Sequence, residues 1–292
     1  MNTPQRSAEP TFEIVDMLKM MWRRRLVLIS ATVIAGGLAW GIAKILPKKY
    51  DASVLVAPVG ESSGGSALAS MLRQFGGLAS LTGLTSSQNT HTAIEIATLK
   101  SNELTEKFIK DNNLLPVLFP KEWNKVEKRW KTPDHEPTLW DGSQYFSHEV
   151  REIQTDRKTG LVLVKVRWTN PKQAAAWANS LVGLANSTLR QRAIDESKRN
   201  IDYLQVQGKV TDNVQLKSAI DMLMFGELQN AMVAQGEREY AFRVVDPAVA
   251  PEKPSSPKTV LWTLAGIVLG FSMSSAYALL DESWKAKRIV SG

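Results

Sequence analysis

The stretch DPAVAPEKPSSPKTVLWTLAGIVLG, residues 246–270, places four prolines, Pro247, Pro251, Pro254 and Pro257, directly before an apolar run that carries no charge. Prolines fix φ and hold a chain extended, so this segment reads as a stiff spacer. The apolar run continues to Leu280. Over 21 residues at about 1.5 Å each, a helix spans the hydrocarbon core of about 30 Å. The stretch is therefore expected to lead from a folded segment, through a stiff approach, into a membrane helix. The same prolines also serve simply to stop a strand and start a helix.

The other end of the chain completes the frame. Leu26–Leu46, LVLISATVIAGGLAWGIAKIL, is a second apolar run, charged only at Lys44, whose long side chain can reach the interface. A cleaved signal peptide is the alternative, and RRRLVL resembles a twin-arginine leader. The run exceeds the usual apolar region of about 7–15 residues and lacks a small-residue cleavage site, so an uncleaved anchor is expected. Lys19, Arg23, Arg24 and Arg25 precede the first run, and Lys285, Lys287 and Arg288 follow the second. The positive-inside rule then puts both ends in the cytoplasm and the long middle segment outside it. The expected division is a cytoplasmic segment 1–25, a span 26–46, an extracytoplasmic domain 47–259, a span 260–280 and a cytoplasmic tail 281–292.

Charge supports topology rather than nucleic acid. The net charge is +7. Residues 47–259 hold 27 Lys and Arg against 24 Asp and Glu, and the rest of the excess sits at the short ends. No nucleic-acid partner is expected. The chain has no cysteine, which excludes disulfides, thiolate metal sites and cysteine nucleophiles.

Both spans contain a GxxxG, Gly37/Gly41 and Gly266/Gly270. This spacing sets two glycines on one helix face and lets backbones approach closely, so these four are the candidate transmembrane packing residues.

The middle segment reads as mixed α and β. Residues 49–59 alternate and are rich in Val, which predicts a strand. Residues 60–90 read as a Gly/Ser-rich loop with a short helix near 66–74, and their glycine pairs fit neither phosphate-loop pattern. The spacing predicts one helix over Thr92–Asn112, ended by LLPVLFP. Trp123, Trp130 and Trp140 interleave with basic residues and prolines; sugar or nucleic-acid stacking is one reading, packing of irregular chain onto the domain the other, and the second is preferred. GLVLVKVRW, 160–168, is the clearest strand. Asn170 or Thr169 then caps a long helix that begins at Pro171 and breaks at Gly208. Asp212 is expected to cap a second helix carrying Leu216, Ile220, Leu223 and Leu228 on one face, making an antiparallel hairpin. YAFRVVDP closes the domain as a strand. The fold class is thus α/β (α+β): a small mixed sheet with helices and a projecting helical hairpin, between two transmembrane helices.

Catalytic chemistry finds no home in this pattern. His91, His135 and His148 match no paired-ligand spacing, and DHE at 134–136 reads as a solvated loop. No GxSxG or Walker lysine occurs. No catalytic residue, cofactor or metal is expected. With twelve residues after the second span, neither a fused kinase nor a receptor's signalling domain is expected.

Local sequences carry a resemblance as well: FGGLASLTGL, LKSNELTEKFIKDNNLLPVLFPKEW, PTLWDG, DRKTGLVLVKVRWTNPKQAAAWANSLV and YAFRVVDPAVAPEKPSSPK. With the two spans and the proline-rich approach, the chain resembles the Wzz family of bacterial chain-length determinants, the polysaccharide co-polymerases. The resemblance runs over most of the chain. Its departure is length, because the helical section between Pro171 and Gly236 is short for the family. It implies a non-enzymatic protein of the bacterial inner membrane, with its main domain in the periplasm. It also implies a homo-oligomer that works with a membrane polysaccharide polymerase and its lipid-linked glycan to set polymer length. Coupling to a polysaccharide exporter and a generic periplasmic scaffold are the alternatives.

Overall fold

The computed structural model describes residues 25–59, 84–132 and 136–290, with side chains over 28–59, 91–132 and 136–277. The short helix expected near 66–74, the glycine pairs at 64–65 and 76–77, and His135 lie outside the described residues. The chain divides into two units, residues 49–253 and a second made from residues up to 48 and from 254 onward.

In the larger unit the strands are β1 (Tyr50–Pro58), β4 (Arg151–Thr155), β5 (Val162–Trp168) and β6 (Phe242–Asp246), with a separate pair β2 (Trp123–Asn124) and β3 (Arg129–Trp130). The main sheet has the order β4-β5-β1-β6, and every neighbour in it is antiparallel. This corrects the expected mixed sheet. β5 and β6 do run in the same direction, but β1 lies between them, so no parallel pair forms.

Period-two alternation sorts the two faces of this sheet. Val54 and Val56 of β1 and Val162, Val164 and Val166 of β5 are fully buried. The opposite face carries cross-strand ion pairs. Arg167 donates to both carboxylate oxygens of Asp51, at 2.8 and 3.0 Å, and Lys165 donates to Glu152 at 3.1 Å. Each pair sits directly opposite in register, a geometry worth about 0.2–1 kcal/mol.

Helices cover the apolar face. They are α2 (Leu84–Lys100), α3 (Asn102–Asp111), α4 (Leu115–Leu118), α5 (Leu139–Tyr145), α6 (Pro171–Val210) and α7 (Val214–Gly236). A π-helical turn, Phe146–Val150, joins α5 to β4. Ala174, Ala178, Leu181 and Ala185 of α6 are fully buried and share the core with Phe108, Phe146 and the valines. Small alanines let this helix lie close against the branched surface of the sheet.

Several local expectations change. The single helix over Thr92–Asn112 is two helices, because Ser101 takes extended backbone and its Oγ accepts from the Leu104 N–H at 3.2 Å. Capping by Ser here replaces a helical bond. Gly208 does not break α6, which runs to Val210; one glycine costs only about 1 kcal/mol against the propagation of 40 residues. The second helix is capped by Asn213, not Asp212, with Oδ1 accepting from Gln215 and Leu216 N–H groups. Asn170 caps α6 as expected. The Trp123/Trp130 segment is an ordered hairpin, and neither ring enters the core.

The smaller unit holds two long helices, α1 (Arg25–Ile45) and α8 (Thr259–Val290). Leu28–Ile45 and Thr259–Tyr277 are long and apolar enough to cross a membrane. α8 continues through ten residues of the segment expected as a tail, for a length of about 48 Å.

Candidate functional site

The strand that carries the chain out of the larger unit is held by two asparagines of α6. Asn186 is buried. Its Oδ1 accepts from the N–H groups of Ala241 and Phe242, at 2.9 and 2.7 Å, and its Nδ2 donates to the Phe242 carbonyl at 2.8 Å. Asn179, two turns earlier on the same helix, does the same for Ala248: N–H to Oδ1 and Nδ2 to C=O, both at 2.9 Å. A carboxamide presents the same donor and acceptor as a peptide group, so each side chain pairs β6 or its extension where no strand lies alongside. The seven-residue spacing puts both on one face of the helix. Sequence reasoning missed these residues. The signal available was two asparagines inside a helical run, where that residue type is disfavoured unless its amide has a partner.

This clamp reaches the proline-rich segment. Pro247 and Pro251 flank the clamped and buried Ala248, Pro247 exposed and Pro251 half-buried. Pro254 and Pro257 belong to the other unit, and the Ser256–Pro257 peptide is cis. All four lie in irregular chain rather than in a helix or strand.

A second node fixes the other edge of the sheet. Arg151, at the start of β4, is 7% exposed. Its guanidinium donates to the carbonyls of Leu99 and Lys100 at 3.1 and 3.0 Å, to Thr105 Oγ1 at 2.7 Å and to Ser147 Oγ at 3.0 Å. The two carbonyls end α2, where the helix dipole favours a cation. Burial pushes the Arg151 pKa down to about 10, so the group is still cationic at neutral pH.

Beyond Asn186 the α6–α7 hairpin leaves the sheet. Among the described residues its buried contacts there are Ser197, Ile220 and Ala234. A Cβ at Gly208 would lie 3.5 Å from Ile220 Cγ2, an ordinary contact, so the packing of α7 here does not require a glycine. Leu216, Leu223 and Leu228 are exposed instead of joining Ile220 inside. Tyr203, Val206, Val210, Met222, Phe225 and Met232 are exposed as well, with Met222 at 74% and Phe225 at 65%.

In the smaller unit the glycines separate into two groups. A Cβ at Gly270 would meet Ala35 Cβ at 2.6 Å and Thr32 Cα at 3.2 Å, and one at Gly266 would meet the Ala35 carbonyl at 2.9 Å. The facing surface of α1 is Ala31, Ala35 and Ala39, spaced by four. Gly37 and Gly41 are not at this contact; a Cβ at either meets nothing within 4 Å. Gly37 stands two residues, about 200°, from Ala35, and so points away.

Among the described residues no group of three metal-ligating side chains gathers. His91 and His148 lie on separate elements, Leu84–Lys100 and the π turn.

Comparison with known proteins gives two family matches. Residues 10–112 match the model described as Chain length determinant protein, Wzz. Residues 204–283 match the model GNVR, described as "G-rich domain on putative tyrosine kinase". No curated protein matches the chain. Among solved structures, a full-length bacterial polysaccharide co-polymerase is similar with TM-score 0.43 and 13% identity, over 94% of this chain and 99% of that one. A fragment of WzzB, a polysaccharide co-polymerase from Salmonella Typhimurium, is similar with TM-score 0.33 and 12% identity, over 72% and 100%. Over residues 10–112 the chain is thus similar to the Wzz chain-length-determinant model, and over residues 204–283 to the GNVR model.

Proposed function

We propose that the chain is a chain-length determinant of a surface polysaccharide, acting without catalysis as a homo-oligomeric scaffold for a membrane polymerase and its lipid-linked glycan. The Wzz match over residues 10–112 supports the activity. The observation that carries the assembly is the α6–α7 hairpin, whose outer surface presents Tyr203, Val206, Met222, Phe225 and Met232 to solvent. A large exposed apolar surface on a projecting element marks an interaction site. The spans 26–46 and 260–280 anchor the chain in the bacterial inner membrane, with both ends cytoplasmic and the larger unit periplasmic. The four prolines of 247–257 stiffen the approach to the second span. Gly266 and Gly270 pack the spans, and Gly37 and Gly41 lie on the outer side of α1 for contact between copies.

The test is a gel profile of surface polysaccharide from a strain lacking the protein. A narrow length distribution that broadens toward short chains, with polymer still made, is expected. Polymer that vanishes from the surface and accumulates inside would assign the chain to export, and an unchanged profile would refute a role in either.

A further inference from the structure

The β2–β3 hairpin lies between the two family-matched segments and in neither. It also serves no core: none of its residues is among the buried cluster or packed against it. A two-stranded ribbon is marginal by itself, yet this one is well built. Asn124 Oδ1 accepts from the Val126 and Glu127 N–H groups at 3.0 and 3.3 Å, and Lys128 holds the left-handed φ of 49° that the turn needs. Glu127 is bridged by Asn124 and Arg129, both at 2.8 Å. Trp123 and Trp130 stand directly opposite, edge to face, with centroids 4.9 Å apart. Both rings remain half-buried, and Val126 at the tip is 91% exposed.

Charge selects the occupant. Residues 121–131 hold five basic and two acidic side chains. Glu127 is taken up by Arg129, while Lys121, Lys125 and Lys128 are exposed with no carboxylate partner among the described residues. An indole face carries negative quadrupole density that attracts the polarised C–H face of a pyranose, and the flanking ammonium groups attract carboxylates. We infer that the β2–β3 hairpin is a contact site for an acidic polysaccharide, with sugar rings on Trp123 and Trp130 and uronate-type carboxylates on Lys121, Lys125 and Lys128. This deepens the proposed glycan function and rests on it.

The experiment measures binding of the detergent-solubilised full-length chain to immobilised polygalacturonate, and to immobilised dextran, by surface plasmon resonance. Binding to polygalacturonate that exceeds dextran and weakens with salt is expected. The triple variant Lys121→Gln, Lys125→Gln, Lys128→Asn keeps the tryptophan pair, and asparagine suits the left-handed position. It should bind about tenfold more weakly, from three exposed charge pairs. Trp130→Phe keeps an aromatic cross-strand pair with a smaller face and should also weaken binding. A control variant, Lys198→Gln, Lys209→Gln, Lys217→Gln, removes three cations elsewhere and should bind like the parent. The inference is overturned by absence of polygalacturonate binding, by equal losses in the triple and control variants, or by hairpin-dependent binding confined to anionic phosphatidylglycerol vesicles. Failure here with an altered length profile in the deletion strain would leave the proposed function standing. Intact binding with an unchanged profile would do the reverse.

Discussion

Asn186→Ala is the sharpest test of how the larger unit holds its exit strand. The substitution removes three buried hydrogen bonds, at 2.7, 2.8 and 2.9 Å, and leaves the Ala241 and Phe242 N–H groups and the Phe242 carbonyl facing a void. At about 1 kcal/mol per bond the loss is about 3 kcal/mol, and the unpaired buried groups raise it further. That is a large share of a typical domain stability of about 5–15 kcal/mol. Hydrogen exchange read by mass spectrometry on a peptide covering residues 240–250 reports it directly. Exchange at Ala241 and Phe242 should quicken by about 100-fold, since each 1.4 kcal/mol is about tenfold. Asn179→Ala removes two half-buried bonds and should quicken Ala248 by about tenfold. Asn186→Asp keeps the acceptor but turns a carboxylate on the Phe242 carbonyl, so it should fall between parent and alanine only where the carboxyl is protonated. Exchange at Ala241 and Phe242 within threefold of the parent in Asn186→Ala would refute the clamp.

Arg151→Met strips four hydrogen bonds from a buried corner and should lower stability by about 3–5 kcal/mol, seen as a fall in the denaturant midpoint followed by tryptophan fluorescence. Arg151→Lys should restore only part, because one ammonium cannot span the same four acceptors. Because the chain has no cysteine, Gly36→Cys with Ile267→Cys gives a clean disulfide probe of the helix pair in the smaller unit, a Cβ at Gly36 lying 3.0 Å from Ile267 Cγ1. Cross-linking should slow sharply when Gly270→Leu is added and stay unchanged with Gly41→Leu. Hydrogen bonds from the Thr138 backbone and hydroxyl hold the Asp141 carboxyl below its ordinary value of 3.8. The capping box at the start of α5 is therefore complete above that value and lost as pH falls through the depressed one. Asp141→Ala should remove that part of the acid dependence of the thermal midpoint. Phe225→Asp, at a 65% exposed position, should leave the unfolding free energy of the monomer within about 0.5 kcal/mol of the parent and shift the sedimentation profile to smaller species.

The strands at 50–58 and 162–168 were legible because alternation is a local property: each Val that faces inward is separated by one residue that does not. The capped starts at Asn170 and Asn213 are local too, although Asp212 competed for the second and lost by one position. β4 and the β2–β3 ribbon were not legible. REIQT has no apolar alternation, and its pairing comes from β5 and from the Arg151 anchor, 52 residues from Leu99. WNKVEKRW reads as irregular chain because its partner face is another tryptophan rather than the core.

Sequence alone determined that two apolar runs frame one α/β segment, that four prolines lead into the second run, and that a long helical hairpin follows β5. Each of these rests on composition or on a period of two or 3.6 residues, which the chain carries within a short window. Only the tertiary structure decided which small residues meet. Gly266 and Gly270 face Ala31, Ala35 and Ala39, while Gly37 and Gly41 turn away, because the rotation of α1 is set by its whole contact surface and not by one motif. It decided as well that Asn179 and Asn186 hold the exit strand. A carboxamide declares nothing about its partner until the fold brings an unpaired peptide group, some 55–69 residues distant, within 3 Å.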